Sequence, residues 1–231
     1  MTTLLITGAN RGLGLEFCRQ YAERGDTVIA TCREPERADA LQALAQKHTT
    51  LSIEKLDVAD FAQIDQLAQR LAGRAIDVLL NNAGVYSDMS GGGLGRLNYG
   101  DWMRSLTINA LAPVKMAEAL LPQLQISQRK LIVSVSSLMG SIADNGSGGS
   151  LFYRTSKSAL NSAMKTLAID LQPQGIGVLI LHPGWVRTDM GGENALIGVE
   201  ESVSGMTQRI AGFDMTQTGR FVKYDGKALP W

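Results

Sequence analysis

The chain has 231 residues, with 22 Lys and Arg balanced by 22 Asp and Glu, so its formal net charge is zero. Without a run of like charge it carries no electrostatic footprint for nucleic acid or a membrane surface, and no apolar stretch approaches the roughly 20 residues of a membrane span. Only two cysteines, Cys18 and Cys32, argue against a disulfide-stapled fold, and the absence of a signal-peptide pattern ahead of Leu4 leads us to expect a cytoplasmic protein.

A short apolar run predicts a first strand at Thr3–Thr7. It ends in Thr7-Gly8-Ala9-Asn10-Arg11-Gly12-Leu13-Gly14, and a helical pattern, Leu13–Arg24, follows at once. Glycines in that context allow a tight turn, let backbone approach a pyrophosphate, and let the helix pack close to the sheet. The helix start then offers N–H groups and a positive dipole end to phosphates. Further strands are predicted at Thr27–Cys32, Leu51–Leu56, Val78–Asn81, Leu131–Ser134 and Gly177–Leu181. Helical patterns at Arg37–Lys47, Ala62–Ala72, Asp101–Leu121, Tyr153–Leu171 and Val199–Ile210 separate or follow them. Asp60 is placed to cap the third helix. Glu200 and Glu201 suit the first turn of the last, whose Val203, Met206 and Ile210 repeat at packing distance.

Strands this apolar on both faces imply a parallel sheet covered by helices on each side. With no linker, repeat or low-complexity tract, the expected architecture is α/β: one doubly wound domain of the Rossmann type over residues 1–231. Two glycine-rich stretches, Ser87–Gly95 and Asp144–Ser150, break the rhythm and read as surface connections, the second beside the Tyr153 helix.

Tyr153 and Lys157 stand four residues apart, one helical turn, so both side chains fall on one face. An ammonium near a phenol, whose pKa is ordinarily about 10, favours the phenolate and makes the hydroxyl a better proton donor and acceptor. The pair alone is a common spacing; the ordered set around it is not. The TGxxxGxG turn resembles that of the short-chain dehydrogenase/reductases. Asn81-Asn82-Ala83-Gly84 resembles their NNAG element. Asn109, Ser136-Ser137, Tyr153 with Lys157, and Pro183-Gly184 with Val186-Arg187-Thr188 follow in the family's order. The closing run Gly219-Arg220-Phe221, with Asp225-Gly226 and Pro230-Trp231, is most similar to C-factor and sniffer-type carbonyl-reductase relatives.

The resemblance implies reduction of a ketone or aldehyde by hydride from a nicotinamide. Tyr153 would be the general acid and base, and Ser137 would hold the substrate oxygen. Lys157 would hold the nicotinamide ribose, and Asn109 a water on a proton path. Ser137 matches the family's usual second serine, although its separation from Tyr153 is longer than the commonest spacing and leaves Ser136 as an alternative. Cofactor contacts are expected from Gly8, Asn10, Arg11, Gly12, Leu13, Gly14, Arg33, Asp57, Val58, Asn82, Ala83, Gly84, Tyr153, Lys157, Pro183, Gly184, Val186 and Thr188.

At the end of the second strand, where NAD-preferring enzymes place an acid, the chain has Cys32-Arg33. Arg33 offers a planar cationic fork to the 2′-phosphate of NADP, with Arg11 as a second candidate. NADP(H) is therefore expected over NAD(H), the alternative being a surface charge or a partner for Glu36. Residues 189–198 would form a substrate lid. Trp185 and Phe152 line the pocket or belong to the core. His48 and His182 match no metal-ligand spacing and no metal is expected. The family's helical subunit interface implies a homodimer or homotetramer. The second functional reading is a cofactor-binding signalling or sensor protein with incidental catalysis.

Overall fold

The computed structural model describes residues 1–88 and 93–231. Among them, seven strands form one parallel sheet in the order β3-β2-β1-β4-β5-β6-β7. These are β1 (Thr3–Thr7), β2 (Thr27–Cys32), β3 (Leu51–Lys55), β4 (Val78–Asn81), β5 (Leu131–Val135), β6 (Gly177–His182) and β7 (Arg220–Lys223). The helices are α1 (Gly12–Glu23), α2 (Asp39–Lys47), α3 (Phe61–Arg70), α4 (Tyr99–Leu106), α5 (Ala112–Ala119), α6 (Leu121–Gln125), α7 (Leu151–Leu171) and α8 (Val199–Ala211).

Alternation along the strands divides the core into two layers. Leu5, Ile29, Leu79, Ile132, Val178 and Ile180 face one side, where Ile64 and Leu67 of α3, Met116 of α5, and Leu160 and Met164 of α7 cover them. Leu4, Ile6, Val28, Leu80, Val133 and Leu181 face the other. There they meet Phe17 and Tyr21 of α1, Leu41 of α2, and Val203, Met206 and Ile210 of α8. Helices thus lie on both faces of the sheet, as continuous apolar strands demand. The chain winds outward from β1 through β2 to β3, then returns to the other side of β1 with β4. The crevice beyond the C-terminal ends of β1 and β4 is the topological switch point, the place where open α/β sheets bind ligands.

Two differences from the sequence expectation have physical causes. The helix predicted over Asp101–Leu121 is broken: Thr107–Leu111 is a widened π-type turn, and Ala112 donates its N–H to the Thr107 carbonyl. Pro113 has no N–H to give the Asn109 carbonyl and cannot continue an ordinary helical ladder. A seventh strand, β7, was not predicted. It is a four-residue run that lacks the continuous apolar character of β4, and its place depends on pairing with Leu179–His182. The glycine-rich stretch Ser87–Gly95 lies in part, at 89–92, outside the described residues. Asp60 does cap α3, accepting from the N–H groups of Ala62 and Gln63.

Candidate active site

The glycine turn is held by the end of β4. Thr7 Oγ1 accepts from the N–H groups of Asn82 (3.1 Å) and Ala83 (3.0 Å). The Asn82 amide returns two bonds, to the carbonyls of Thr7 (2.9 Å) and Gly8 (3.1 Å). The Asn82 side chain is therefore committed to the shape of the turn. Gly8 has φ +67°, and a Cβ there would stand 2.9 Å from the Ala83 Cα, so glycine answers both demands. A side chain on Gly14 would run into the Gly8 carbonyl and the Asn82 amide. Arg11 precedes α1 in extended conformation and makes no side-chain cap, and the first turn of α1 holds no acid. The first N–H groups of α1 thus lack a side-chain acceptor, which is the donor set a phosphate requires.

Thr188 reaches the same place: its Cγ2 lies 3.6 Å from where a Cβ on Gly12 would be. The segment that follows β6 closes on itself. Val186 bridges Ile197, Arg187 N–H bonds the Ile197 carbonyl (3.0 Å), and the Trp185 indole bonds the Gly191 carbonyl (2.8 Å). Arg11 forms an ion pair with Asp189 of this segment, so one of the two predicted phosphate ligands is engaged in the structure described. Arg33 is exposed at the end of β2 and has no ion-pair partner among the described residues. Glu36 is not its partner, and Glu34 pairs instead with Arg37. Asp57 Oδ1 accepts from Ala59 N–H, and Val58 packs in the core beside Leu56 and Ile64.

The second cluster gathers at the end of β5. Tyr153 and Lys157, on the first turns of α7, are 9% and 4% exposed. Lys157 Nζ lies 5.7 Å from the centre of the Tyr153 ring and donates to the Val135 carbonyl (2.9 Å). Gly140 sits against the Lys157 backbone so closely that a Cβ would stand 2.8 Å from its carbonyl carbon. The Ser136 hydroxyl bonds Asn161 (2.6 Å) in the interior, while Ser137 faces the Tyr153 hydroxyl and accepts from Met139 N–H (3.2 Å). Asn109 is fully buried. Its Oδ1 accepts from Val85 N–H (2.8 Å), and its Nδ2 donates to the Val85 carbonyl and to Ser156 (both 2.9 Å). Gly84 lies between Asn109 Oδ1 and Lys157 Nζ, at 3.3 and 3.6 Å from the position of a Cβ.

Burial dominates the electrostatics. It pushes the Tyr153 phenol up to about 12, with the facing Ser137 hydroxyl pulling the other way and Tyr86 adding to the rise. Burial pushes Lys157 down to about 8. Burial therefore keeps Tyr153 a neutral proton donor across the neutral range. His182 is buried and pushed down to about 4, hence uncharged. Phe152 belongs to an aromatic stack, its ring 5.6 Å from that of Trp102, whereas Trp185 is half exposed.

Two residues were not anticipated. The Tyr86 ring lies 5.1 Å from that of Tyr153, tilted by 55°, and its hydroxyl shares a 2.7 Å hydrogen bond with Ser150. Asp88 accepts from the N–H groups of Phe152 (3.0 Å) and Tyr153 (2.9 Å). No local pattern signals a contact across more than sixty residues; Asp88 falls within the glycine-rich stretch Ser87–Gly95, which reads as a surface connection.

A family model described as short chain dehydrogenase matches residues 2–196. The chain belongs to the short-chain dehydrogenase family. This oxidoreductase is 44% identical over 156 residues to C-signal of Myxococcus xanthus, a match covering 68% of this chain and 93% of that protein. Carbonyl reductase Sniffer of D. melanogaster superposes with TM-score 0.95 at 36% identity over 100% of both chains. The NADPH-bound carbonyl reductase from chicken fatty liver does so with TM-score 0.92 at 35% identity, over 100% of this chain and 99% of that one. The resemblance to C-factor and sniffer-type members, legible in the motifs, is thus met. Among the described residues of this dehydrogenase, no helix is long and apolar enough to cross a membrane.

The buried ammonium has a consequence for stability. Lys157 binds its proton less readily in the folded chain than in the unfolded one, so the unfolded state carries more protons between about pH 8 and 10.5. Stability from this group accordingly rises with pH across that window. Lys157→Met removes the penalty. Its pH-dependent advantage in urea unfolding, on the order of 3 kcal/mol, is expected to be full below pH 8 and to shrink toward pH 10.5. An advantage independent of pH would contradict the burial argument.

Proposed function

We propose that this protein is an NADPH-dependent carbonyl reductase that converts a ketone or aldehyde to an alcohol. The observation that carries the reading is the convergence of Tyr153, Lys157, Ser137 and Asn109 at the end of β5, next to a glycine turn whose helix start lacks a side-chain acceptor. The likeness to an NADPH-bound carbonyl reductase supports the coenzyme. The turn from Gly8 to Gly14 would receive its pyrophosphate, with Asn10, Leu13, Ala83 and Gly84 along the crevice. Val58 and Asp57 would flank the adenine, and Pro183, Gly184, Val186 and Thr188 would close over the nicotinamide end. Arg33, and Arg11 once released from Asp189, would take the 2′-phosphate.

NADPH, when bound, supplies the hydride. The chain's own residues do the rest. A carbonyl accepting hydride develops alkoxide charge, and preorganised donors must meet it. Ser137 donates a hydrogen bond to that oxygen, and Tyr153, held neutral by burial, gives it the proton. The phenolate left behind is stabilised by the Lys157 ammonium, which also holds the coenzyme ribose. Asn109 shapes the backbone at Val85 and supports the path by which the proton is replaced. Residues 189–198 act as the substrate lid.

The 44% likeness to C-signal favours a second reading, a cofactor-binding signalling protein in which turnover is incidental. Removing the tyrosine hydroxyl separates the two. Tyr153→Phe is expected to lower kcat for carbonyl-dependent NADPH oxidation, followed at 340 nm, by about 100-fold or more, a loss far larger than any in NADPH affinity. Wild-type turnover retained in that variant would sink the assignment. Arg33→Asp tests the coenzyme. A loss of about tenfold or more in NADPH over NADH preference is expected from one charge-assisted contact, and an unchanged ratio would remove Arg33 from the phosphate site.

A further inference from the structure

The helix that carries Tyr153 and Lys157 begins abnormally. Its N-cap, Ser150, has φ +47°, a left-handed conformation that side chains other than glycine rarely adopt, and its side chain caps nothing. The Ser150 hydroxyl is turned instead to Tyr86, at 2.7 Å. The first turn of α7 holds no acid of its own. The donors that a local cap would satisfy are met from elsewhere: one oxygen of Asp88 accepts from Phe152 N–H and the other from Tyr153 N–H.

Asp88 belongs to the stretch that leaves β4, and that stretch touches the site three times in succession. Val85 holds both polar ends of the Asn109 amide. Tyr86 lays its ring 5.1 Å from that of Tyr153. Asp88 then clamps the backbone of Tyr153 itself. A carboxylate at a helix start also meets the positive dipole end, so the contact is favoured by charge as well as by geometry.

We propose that Asp88 is a positioning residue that fixes the Tyr153 hydroxyl for proton transfer by bonding both oxygens to the first turn of α7, an inference that rests on the reductase reading above. Without it the first turn has only the strained Ser150 to define where the helix begins. Freed to shift, the tyrosine would lose its aim at the reacting oxygen, while the glycine turn is held separately by Thr7 and Asn82. The Asp88 carboxylate does not touch the reacting atoms; it acts through the Tyr153 backbone.

The test compares wild type, Asp88→Ala and Asp88→Asn in carbonyl reduction, in calorimetric titration with NADPH, and in amide hydrogen exchange at Phe152 and Tyr153. Asp88→Ala is expected to lower kcat by about tenfold, since small misplacements of a reacting group are costly. The fall in kcat should exceed any fall in NADPH affinity, and exchange at both amides should be faster. Asp88→Asn keeps an acceptor oxygen and is expected to recover part of the lost kcat, which separates positioning from general damage if the alanine variant folds poorly. Wild-type kcat in Asp88→Ala would overturn the inference, as would a loss of NADPH affinity large enough to account for the whole fall in activity in both variants. A wild type that binds NADPH but reduces no carbonyl would overturn the reductase reading itself, a result distinct from an active wild type with an unaffected variant.

Discussion

A lysine ammonium buried at the end of β5 is the constraint around which the site is arranged. A charge taken from water is costly unless hydrogen-bonded, and the Val135 carbonyl supplies one bond at 2.9 Å. The surroundings make room for it rather than neutralise it. Gly140 allows the Lys157 backbone to approach the turn after β5, and Gly84 leaves open the space between Nζ and Asn109. The same burial that pushes Lys157 down keeps Tyr153 protonated, so the pair is set as donor and charge stabiliser. The aligned ends of a parallel sheet bring this cluster within one crevice of the glycine turn.

The scaffold was largely legible because it depends on local pattern. Continuous apolar runs from Thr3, Thr27, Leu51, Val78, Leu131 and Gly177 begin strands where the pattern put them, and the glycine turn opens a helix as its spacing implied. What was not legible depends on distant partners. Strand β7 exists because β6 offers it an edge, not because Arg220–Lys223 carries a pattern. Pro113 was visible in the sequence, but the form the break takes, a widened turn from Thr107 to Leu111 around Asn109, was not.

The candidate site shows the same division. The ordered motifs named Asn109, Ser137, Tyr153 and Lys157, and these residues do converge. The depth of their burial was not legible, because sequence shows that an ammonium is nearby but not how far both groups are withdrawn from water. Asn82, expected along the coenzyme crevice, also clasps the glycine turn through Thr7 and Gly8, a role its motif does not spell out. Arg11, expected on a phosphate, is paired with Asp189, and Asp88 drew no attention although it holds the backbone of the central tyrosine.

The central claim is that the turn from Gly8 to Gly14, with Arg33 beside it, is a site for a 2′-phosphorylated nicotinamide coenzyme facing Tyr153. Calorimetric titration of the wild-type protein with NADPH and, separately, with NADH tests it most directly. Saturable one-to-one binding of NADPH, at least tenfold tighter than that of NADH, is the result expected from one additional charge-assisted phosphate contact. Binding of neither coenzyme would contradict the account at its base, whatever the arrangement of Tyr153 and Lys157.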